Sequence, residues 1–274
     1  MRNFTEKTYW DDVYKDMNIN SVSISIYYRI KEYLKYITRD YSNFLLWEVL
    51  FRSYIPKNKD GKVIEIGCAP GKYLYSFHKD FLYEPYGIDY SKKGVEITKK
   101  YFVKKGLNKD NIIYADFFDP LFQSEQKNKY DIVFSRGFIE HFDTVKSVVQ
   151  NHINMLKVGG YIVIIIPQIS SLNGYIARFF NIDSYKVHNI SIMNKDSFTN
   201  LFPYSQLEHV YCDYVGIGSI GLFNTNTRWK YILYRVLLLL QRPVDFLLRV
   251  FVPKNILNNK YTSPYLLFIG KKIV

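Results

Sequence analysis

Five short apolar runs, each followed by a polar stretch of helical spacing, fill the middle of this chain and limit what it can fold into. They are KVIEIG (62–67), PYGID (85–89), NIIYAD (111–116), YDIVFS (130–135) and YIVIIIP (161–167). Between them lie segments such as SKKGVEITKKYFVKKG (91–106) and DTVKSVVQNHINMLKVGG (143–160). Strands that alternate with helices predict a parallel sheet covered on both faces. LEHVYCDYVGIG (207–218) and SPYLLFIGKK (263–272) read as two late strands, for a doubly wound sheet of about seven. Ahead of the first run, residues up to about 55 carry apolar positions at three- and four-residue intervals, as in an amphipathic helix. The turn cluster PKNKDGK (56–62) ends that stretch. The expected organisation is a helical N-terminal cap, 1–58, and an α/β domain, 59–274.

The first run hands over to a glycine turn, VIEIGCAPGKYL (63–74). A dinucleotide fold wants G-x-G-x-x-G, but here the middle glycine is Ala69 and the last, Gly71, comes one position early. A phosphate loop wants G-x-x-x-x-G-K-[ST]. GCAPGKY is one residue short and places Tyr73 where a hydroxyl must reach magnesium. Pro70 also removes a backbone donor from any phosphate cradle. A cofactor without phosphate remains, one that needs close backbone approach and acidic side chains. Glu65-x-Gly67-x-Ala69-x-Gly71 has that form. It resembles the first motif of the class I S-adenosylmethionine-dependent methyltransferases, E/D-x-G-x-G-x-G, with alanine for the middle glycine.

Four later segments extend the resemblance, which covers roughly residues 60–167 and implies a Rossmann-like fold and S-adenosyl-L-methionine as cofactor. GIDYS ends the second strand with Asp89 and Tyr90, 22 residues after Gly67. A carboxylate there can accept both ribose hydroxyls, each bond worth roughly 1.5–3 kcal/mol. The resemblance implies that Asp116 meets the adenine amino group and Phe117 packs on its ring. It also implies that Ser135 and Arg136, ending the fourth strand, border the cofactor together with Cys68. LKVGGYIVIIIP matches the family's helix-to-strand segment, with Gly159 and Gly160 capping the helix. Cys68 reads as a small packing residue, not a nucleophile.

The form SRGFIEHF (135–142) looks like the branch of the family that acts on small molecules, lipids and sugars. Aligning two reactants supplies roughly 7–11 kcal/mol, and a base is needed only where the acceptor must lose a proton. His141 is the first candidate for that base and Glu140 the second. The segment 168–202 should lie over the cofactor as a substrate cap, with Tyr175, Arg178, His188 and Asn189 as acceptor-binding candidates. YWDDVY (9–14) is expected to close the cofactor site, with Tyr9 and Trp10 able to face the sulfonium. The five histidines show no H-x₃₋₅-H spacing, so the sequence offers no metal site.

Charge adds a further constraint. The net charge is +12, and from Arg228 onward nine Lys/Arg face one acid, Asp245. Arg228, Arg235, Arg242 and Arg249 recur every seven residues in TRWKYILYRVLLLLQRPVDFLLRVFVPKN (227–255), which on a helix gives one cationic stripe. This stretch belongs to an amphipathic basic insertion, 222–260, between the last two strands. Its uncharged apolar runs are far shorter than the ~20 residues of a membrane span, and Pro243 is expected to split it into two short helices. Such a basic, apolar element fits an interfacial membrane anchor, a dimer interface or a lid. Two cysteines and a start without an apolar h-region fit a cytoplasmic protein with peripheral contact at the inner membrane face. The expected activity is O-methylation of a glycan, lipid-linked sugar or other small acceptor. The alternatives are an RNA methyltransferase using the basic surface and a non-catalytic adaptor.

Overall fold

The computed structural model describes residues 4–15, 40–223, 225, 227–254 and 256–274. The part of the expected N-terminal helical stretch that spans 16–39 lies outside the described residues. The seven strands are β1 (Lys62–Ile66), β2 (Glu84–Asp89), β3 (Ile112–Tyr114), β4 (Tyr130–Arg136), β5 (Leu156–Pro167), β6 (Leu207–Val215) and β7 (Tyr265–Lys272). They form one sheet in the order β3-β2-β1-β4-β5-β7-β6. β1 to β5 run parallel, and β7 enters antiparallel between β5 and β6. The strand order reverses between β1 and β4. Ligands of open α/β sheets bind in the crevice beyond the strand ends at such a point.

The two-residue period of a strand explains why both faces are covered. Along β5, Ile162, Ile164 and Ile166 point into one core with Val148, Val149 and Ile153 of the helix Val145–Met155. Val163 and Ile165 point into the other core, with Phe77 of the helix Lys72–Phe81 and Phe102 of the helix Lys92–Lys104. Leu45, Leu46, Leu50 and Phe51 join this second core from a continuous helical segment. That segment has α-helical ends, Tyr41–Phe44 and Arg52–Tyr54, and a wider π-type middle, Leu45–Phe51. Residues 41–55 of the N-terminal cap therefore share the core of the sheet.

Two local expectations are corrected. Gly159 and Gly160 do not cap a helix: the preceding helix ends at Met155, and its cap residue Leu156 is already extended. The glycines instead carry an irregularity in β5, where pairing jumps from Tyr130–Leu156 to Ile132–Tyr161. Gly159 takes a φ of +81°, which glycine adopts without strain. Pro243 likewise does not divide the insertion, because Arg228–Phe251 is one helix. The face turned to the body runs through Leu237, Leu238, Gln241, Asp245 and Leu248 at three- and four-residue steps, on both sides of the exposed proline. An unbroken helix keeps that face in register, which offsets the roughly 3 kcal/mol that an interior proline costs.

Candidate active site

The glycine turn after β1 is fixed by its backbone. The N–H groups of Gly67 and Cys68 both donate to the carbonyl of Ile88, at 2.9 and 3.1 Å, tying the turn to the end of β2. Gly67 has a φ of +71°, and a Cβ there would meet the Phe138 ring at 3.2 Å. Gly71 has a φ of +81°, and a Cβ there would meet Thr98 at 2.8 Å. Glycine is thus required at both ends of the turn. The Cys68 side chain is buried behind the turn, where its sulfur faces the backbone of Gly87. Burial raises its thiol pKa well above the ordinary value. It packs, as the sequence reading holds, and lines none of the cavities described below.

The acidic residues divide by role. Asp89 accepts from the N–H of Ala69 at 3.2 Å and from that of Ser91 at 2.9 Å. Burial raises its pKa, and these two N–H bonds oppose the rise. With Tyr90, Asp116, Phe117, Phe138 and Phe142 it lines a cavity of about 490 Å³. Asp116 lies at the exposed rim, beyond the short β3, and accepts from the N–H of Phe118 at 2.9 Å. Glu65 is buried in β1 with Oε2 lacking a hydrogen-bond partner. Its pKa is raised by burial, an effect that nearby Arg136 counters.

Of the residues ending β4, Arg136 lines a cavity together with Gly67 and Ala69, whereas Ser135 is placed differently from expectation. Ser135 is fully buried and does not border the cofactor cavity; its Oγ meets Nε2 of His152 at 3.2 Å. Sequence reasoning has no signal for that pair, because His152 comes from the next helix. Arg136 lies between the rings of Tyr73 and Tyr265, 4.9 and 4.5 Å from their centroids. It donates to Asn43 at 2.8 Å. Tyr265 belongs to β7, almost 130 residues away, so the sequence could not announce this stack.

A second cavity, of about 390 Å³, begins at Gly67 and Ala69 and ends at Glu140, His141 and His188. Tyr9, Trp10 and Tyr14 of the helix Lys7–Lys15 line one side, so this helix closes over the turn as expected. The Phe4 N–H donates to the carbonyl of His141 at 2.8 Å, and the Trp10 ring stands edge-on to His141 at 5.5 Å. The opposite wall comes from Tyr185 and from Gly221, Leu222 and Phe223. No motif marks these last residues.

The polar end is neutral in character. His141 places Nδ1 2.9 Å from the carbonyl of Val187. A carbonyl only accepts, so Nδ1 carries the hydrogen and Nε2 the lone pair. Burial, with His188 nearby, lowers the His141 pKa to about 3. Burial raises that of Glu140 to about 8; the amides of Glu140 and Phe138 favour the anion without reaching hydrogen-bond geometry. Of the acceptor candidates in the cap segment, only His188 lines the cavity. Asn189 donates its side-chain amide to the carbonyl of Phe142 at 3.0 Å and acts as a staple. Arg178 lies over the rings of Tyr175 and Tyr185, at 4.7 and 5.1 Å, and Tyr175 is exposed. Neither Tyr175 nor Arg178 enters the cavity lining. The sequence shows no metal-ligand spacing, but the fold brings one donor atom each of Glu140, His141 and His188 within 4.8 Å of one another.

Residues 33–211, more than half of the chain, match the family model described as a methyltransferase domain. The chain belongs to this family, within the class I S-adenosyl-L-methionine-dependent methyltransferases. An 80-residue stretch is 29% identical to EEF1A lysine methyltransferase 2 of Danio rerio, covering 29% of this chain and 33% of that protein. The chain thus spans about a third of that relative's length. Solved structures share the fold. Geranyl diphosphate C-methyltransferase of Streptomyces coelicolor A3(2), solved with Mg2+, geranyl diphosphate and S-adenosyl-L-homocysteine, superposes with a TM-score of 0.55 at 13% identity, over 84% of this chain and 79% of that one. A SAM-dependent methyltransferase of Archaeoglobus fulgidus gives 0.52 at 19% identity, over 90% and 100%. Phosphoethanolamine N-methyltransferase 2 of Haemonchus contortus gives 0.53 at 15% identity, over 85% and 53%.

The residues fit the cofactor. The glycine turn leaves a cradle that a Cβ at Gly67 would narrow, and a buried carboxylate, Asp89, opens into the neighbouring cavity. Asp89 would hold the ribose, Asp116 and Phe117 the adenine, and the backbone at Gly67 and Ala69 the amino acid end.

Proposed function

We propose that this protein transfers a methyl group to a hydroxyl of a small amphipathic acceptor, a lipid-linked sugar or glycan unit, presented at a membrane surface. One observation carries the reading. A single cavity joins the cofactor turn at Gly67 and Ala69 to the polar end at Glu140, His141 and His188, between aromatic walls. Aromatic walls with a few convergent polar groups suit a ligand with an apolar body and hydroxyl groups. The bound cofactor supplies an electrophilic methyl group. The chain's own part is to align the acceptor, exclude water with the helix Lys7–Lys15, and receive the hydroxyl proton. Nε2 of His141 directs a lone pair at that hydroxyl, and Glu140, the stronger base of the two, stands beside it to take the proton.

The long helix supports the membrane setting. Trp229, Ile232, Val236, Leu239, Leu240 and Leu247 are exposed on it, as are Arg228, Arg235 and Arg242. Arg249 departs from the expected stripe: it turns toward the body, 5.3 Å from the Phe44 ring centroid. Cations set among exposed leucines suit an anionic lipid surface better than RNA, which calls for cations along a polar or stacking groove. Among the described residues, no helix is long and apolar enough to cross a membrane. The helix also braces the acceptor cavity, because Gln241 accepts from the N–H of Ile220 at 2.8 Å beside the Gly221–Phe223 wall. The relatives by their names methylate carbon, nitrogen and lysine acceptors, so oxygen is argued from the cavity alone.

The test is transfer of labelled methyl from S-adenosyl-L-methionine into lipid, glycan and RNA fractions of a host extract. Vesicle flotation with phosphatidylglycerol across a salt series accompanies it. Label in the lipid or glycan fraction, with flotation lost in the Arg235→Glu/Arg242→Glu double variant, is expected. Label in RNA, or a wild type that never floats, overturns the acceptor or the membrane part respectively.

A further inference from the structure

We propose that Glu140, His141 and His188 form a binding site for one divalent transition-metal ion at the polar end of the acceptor cavity. One donor atom from each of the three lies within 4.8 Å of the others. Ligands at about 2.1 Å from zinc lie about 3–3.5 Å apart, so an ion would draw them together by a small side-chain adjustment.

Three features argue for a built site over a chance meeting. Both histidine rings are oriented through Nδ1. His141 uses the carbonyl of Val187 at 2.9 Å, and His188 uses the carbonyl of Ser184 at 2.7 Å. Backbone carbonyls on one ring nitrogen fix the other, Nε2, as the ligand atom, which is how metal-bound histidines are ordinarily supported. The two segments are also fastened to each other. The Asn189 N–H donates to the carbonyl of Glu140 at 2.7 Å, and its side chain donates to that of Phe142 at 3.0 Å. Finally, Glu140 is fully buried, lines the cavity, and has no hydrogen-bond partner on either carboxylate oxygen. Ionising a carboxyl group buried without a partner costs several kcal/mol, and a cation beside it removes that cost.

Two imidazoles and one carboxylate suit zinc, iron, cobalt or manganese, and leave coordination positions open toward the cavity. An acceptor with two neighbouring oxygens would fill them. That use rests on the methyl-transfer reading; ion binding itself does not. An ion on Nε2 of His141 occupies the lone pair that a base would use, so the two roles are alternatives. A bound ion would lower the pKa of a coordinated hydroxyl, so that its proton is lost to solvent as the acceptor binds, and the resulting alkoxide would take the methyl group as the sulfonium S–C bond breaks and S-adenosyl-L-homocysteine leaves.

The test is titration of chelator-treated protein with Co2+, followed by its visible absorption and by calorimetry. S-adenosyl-L-homocysteine affinity serves as the folding control. One Co2+ per chain, displaced by Zn2+, is expected in the wild type. Loss of the site is expected in both His188→Ala and Glu140→Gln, with cofactor affinity unchanged. A wild type that binds neither Co2+, Zn2+ nor Mn2+ at micromolar concentration overturns the proposal, as do variants that bind like the wild type. Should the variants lose cofactor binding as well, X-ray absorption at the zinc edge of the wild type decides. Two imidazoles in the first shell support the site, and fewer contradict it. One ion bound per chain with no label in the lipid or glycan fraction would uphold this inference and overturn the acceptor reading.

Discussion

The two halves of the proposed active site are built in opposite ways. The cofactor half is assembled from strand ends: Gly67 follows β1, Asp89 ends β2 and Asp116 follows β3, each a few residues from the strand that aims it. The acceptor half is assembled from pieces far apart in the chain, with Trp10, His141, His188 and Phe223 meeting in one cavity. A strand end has one direction, so its geometry is inherited from the sheet. A cavity wall made of short helices and turns depends on individual staples, such as Asn189 to Phe142. The first kind of site tolerates little change at single positions; the second spreads its requirements.

That contrast can be broken or sharpened by experiment. The largest effect is expected at Asp89. Asp89→Ala removes up to two charge-assisted ribose bonds, each roughly 1.5–3 kcal/mol, and should weaken S-adenosyl-L-methionine binding by about 100-fold or more in calorimetry. An unchanged affinity would remove Asp89 from the cofactor site.

The next effect concerns the support beneath that half. His152 is fully buried between the carbonyl of Val148 and Ser135, and burial lowers its pKa to about 4. In the unfolded chain the ring takes a proton near its ordinary value of about 6.5, whereas in the fold it resists until about 4. Acid therefore favours unfolding across this window, and stability falls as pH drops through it, by roughly 3 kcal/mol. Urea unfolding at the two ends of the window should show the loss, and His152→Gln should shrink it. Equal slopes in both proteins would place the acid sensitivity elsewhere.

The acceptor half should respond more weakly. Asn189→Ala deletes one staple worth about 1 kcal/mol, so hydrogen exchange around 187–189 should quicken and turnover fall while cofactor affinity holds. A parallel loss of cofactor affinity would show that the two halves are coupled. Smallest of all is Tyr175→Ala. Its ring is 69% exposed and outside the cavity, so turnover should stay at the wild-type level.

The same contrast explains what the sequence reveals. The sheet, its seven strands and the residues at three strand ends are legible because period-two apolar runs and a glycine turn are local signals. Gly159, Gly160 and Pro243 mislead because local chemistry permits a cap and a break, while register along β5 and along the body face of the long helix decides otherwise. Ser135 and Arg136 are read as cofactor neighbours from their place after β4, and only Arg136 lines the cavity at Gly67 and Ala69. Their true partners, His152 and Tyr265, are set by packing between elements. The His141–His188 pair, with ring centroids 4.8 Å apart across 47 positions of chain, has no sequence signature at all.

The central claim is that one cavity brings the cofactor's reactive end to Glu140, His141 and His188. A crystal structure with S-adenosyl-L-homocysteine tests it most directly. The account predicts ribose on Asp89, adenine beside Asp116 and Phe117, and the amino acid end at Gly67 and Ala69, with the sulfur open toward the two histidines. A sulfur directed away from that cavity, or ribose held without Asp89, would contradict it.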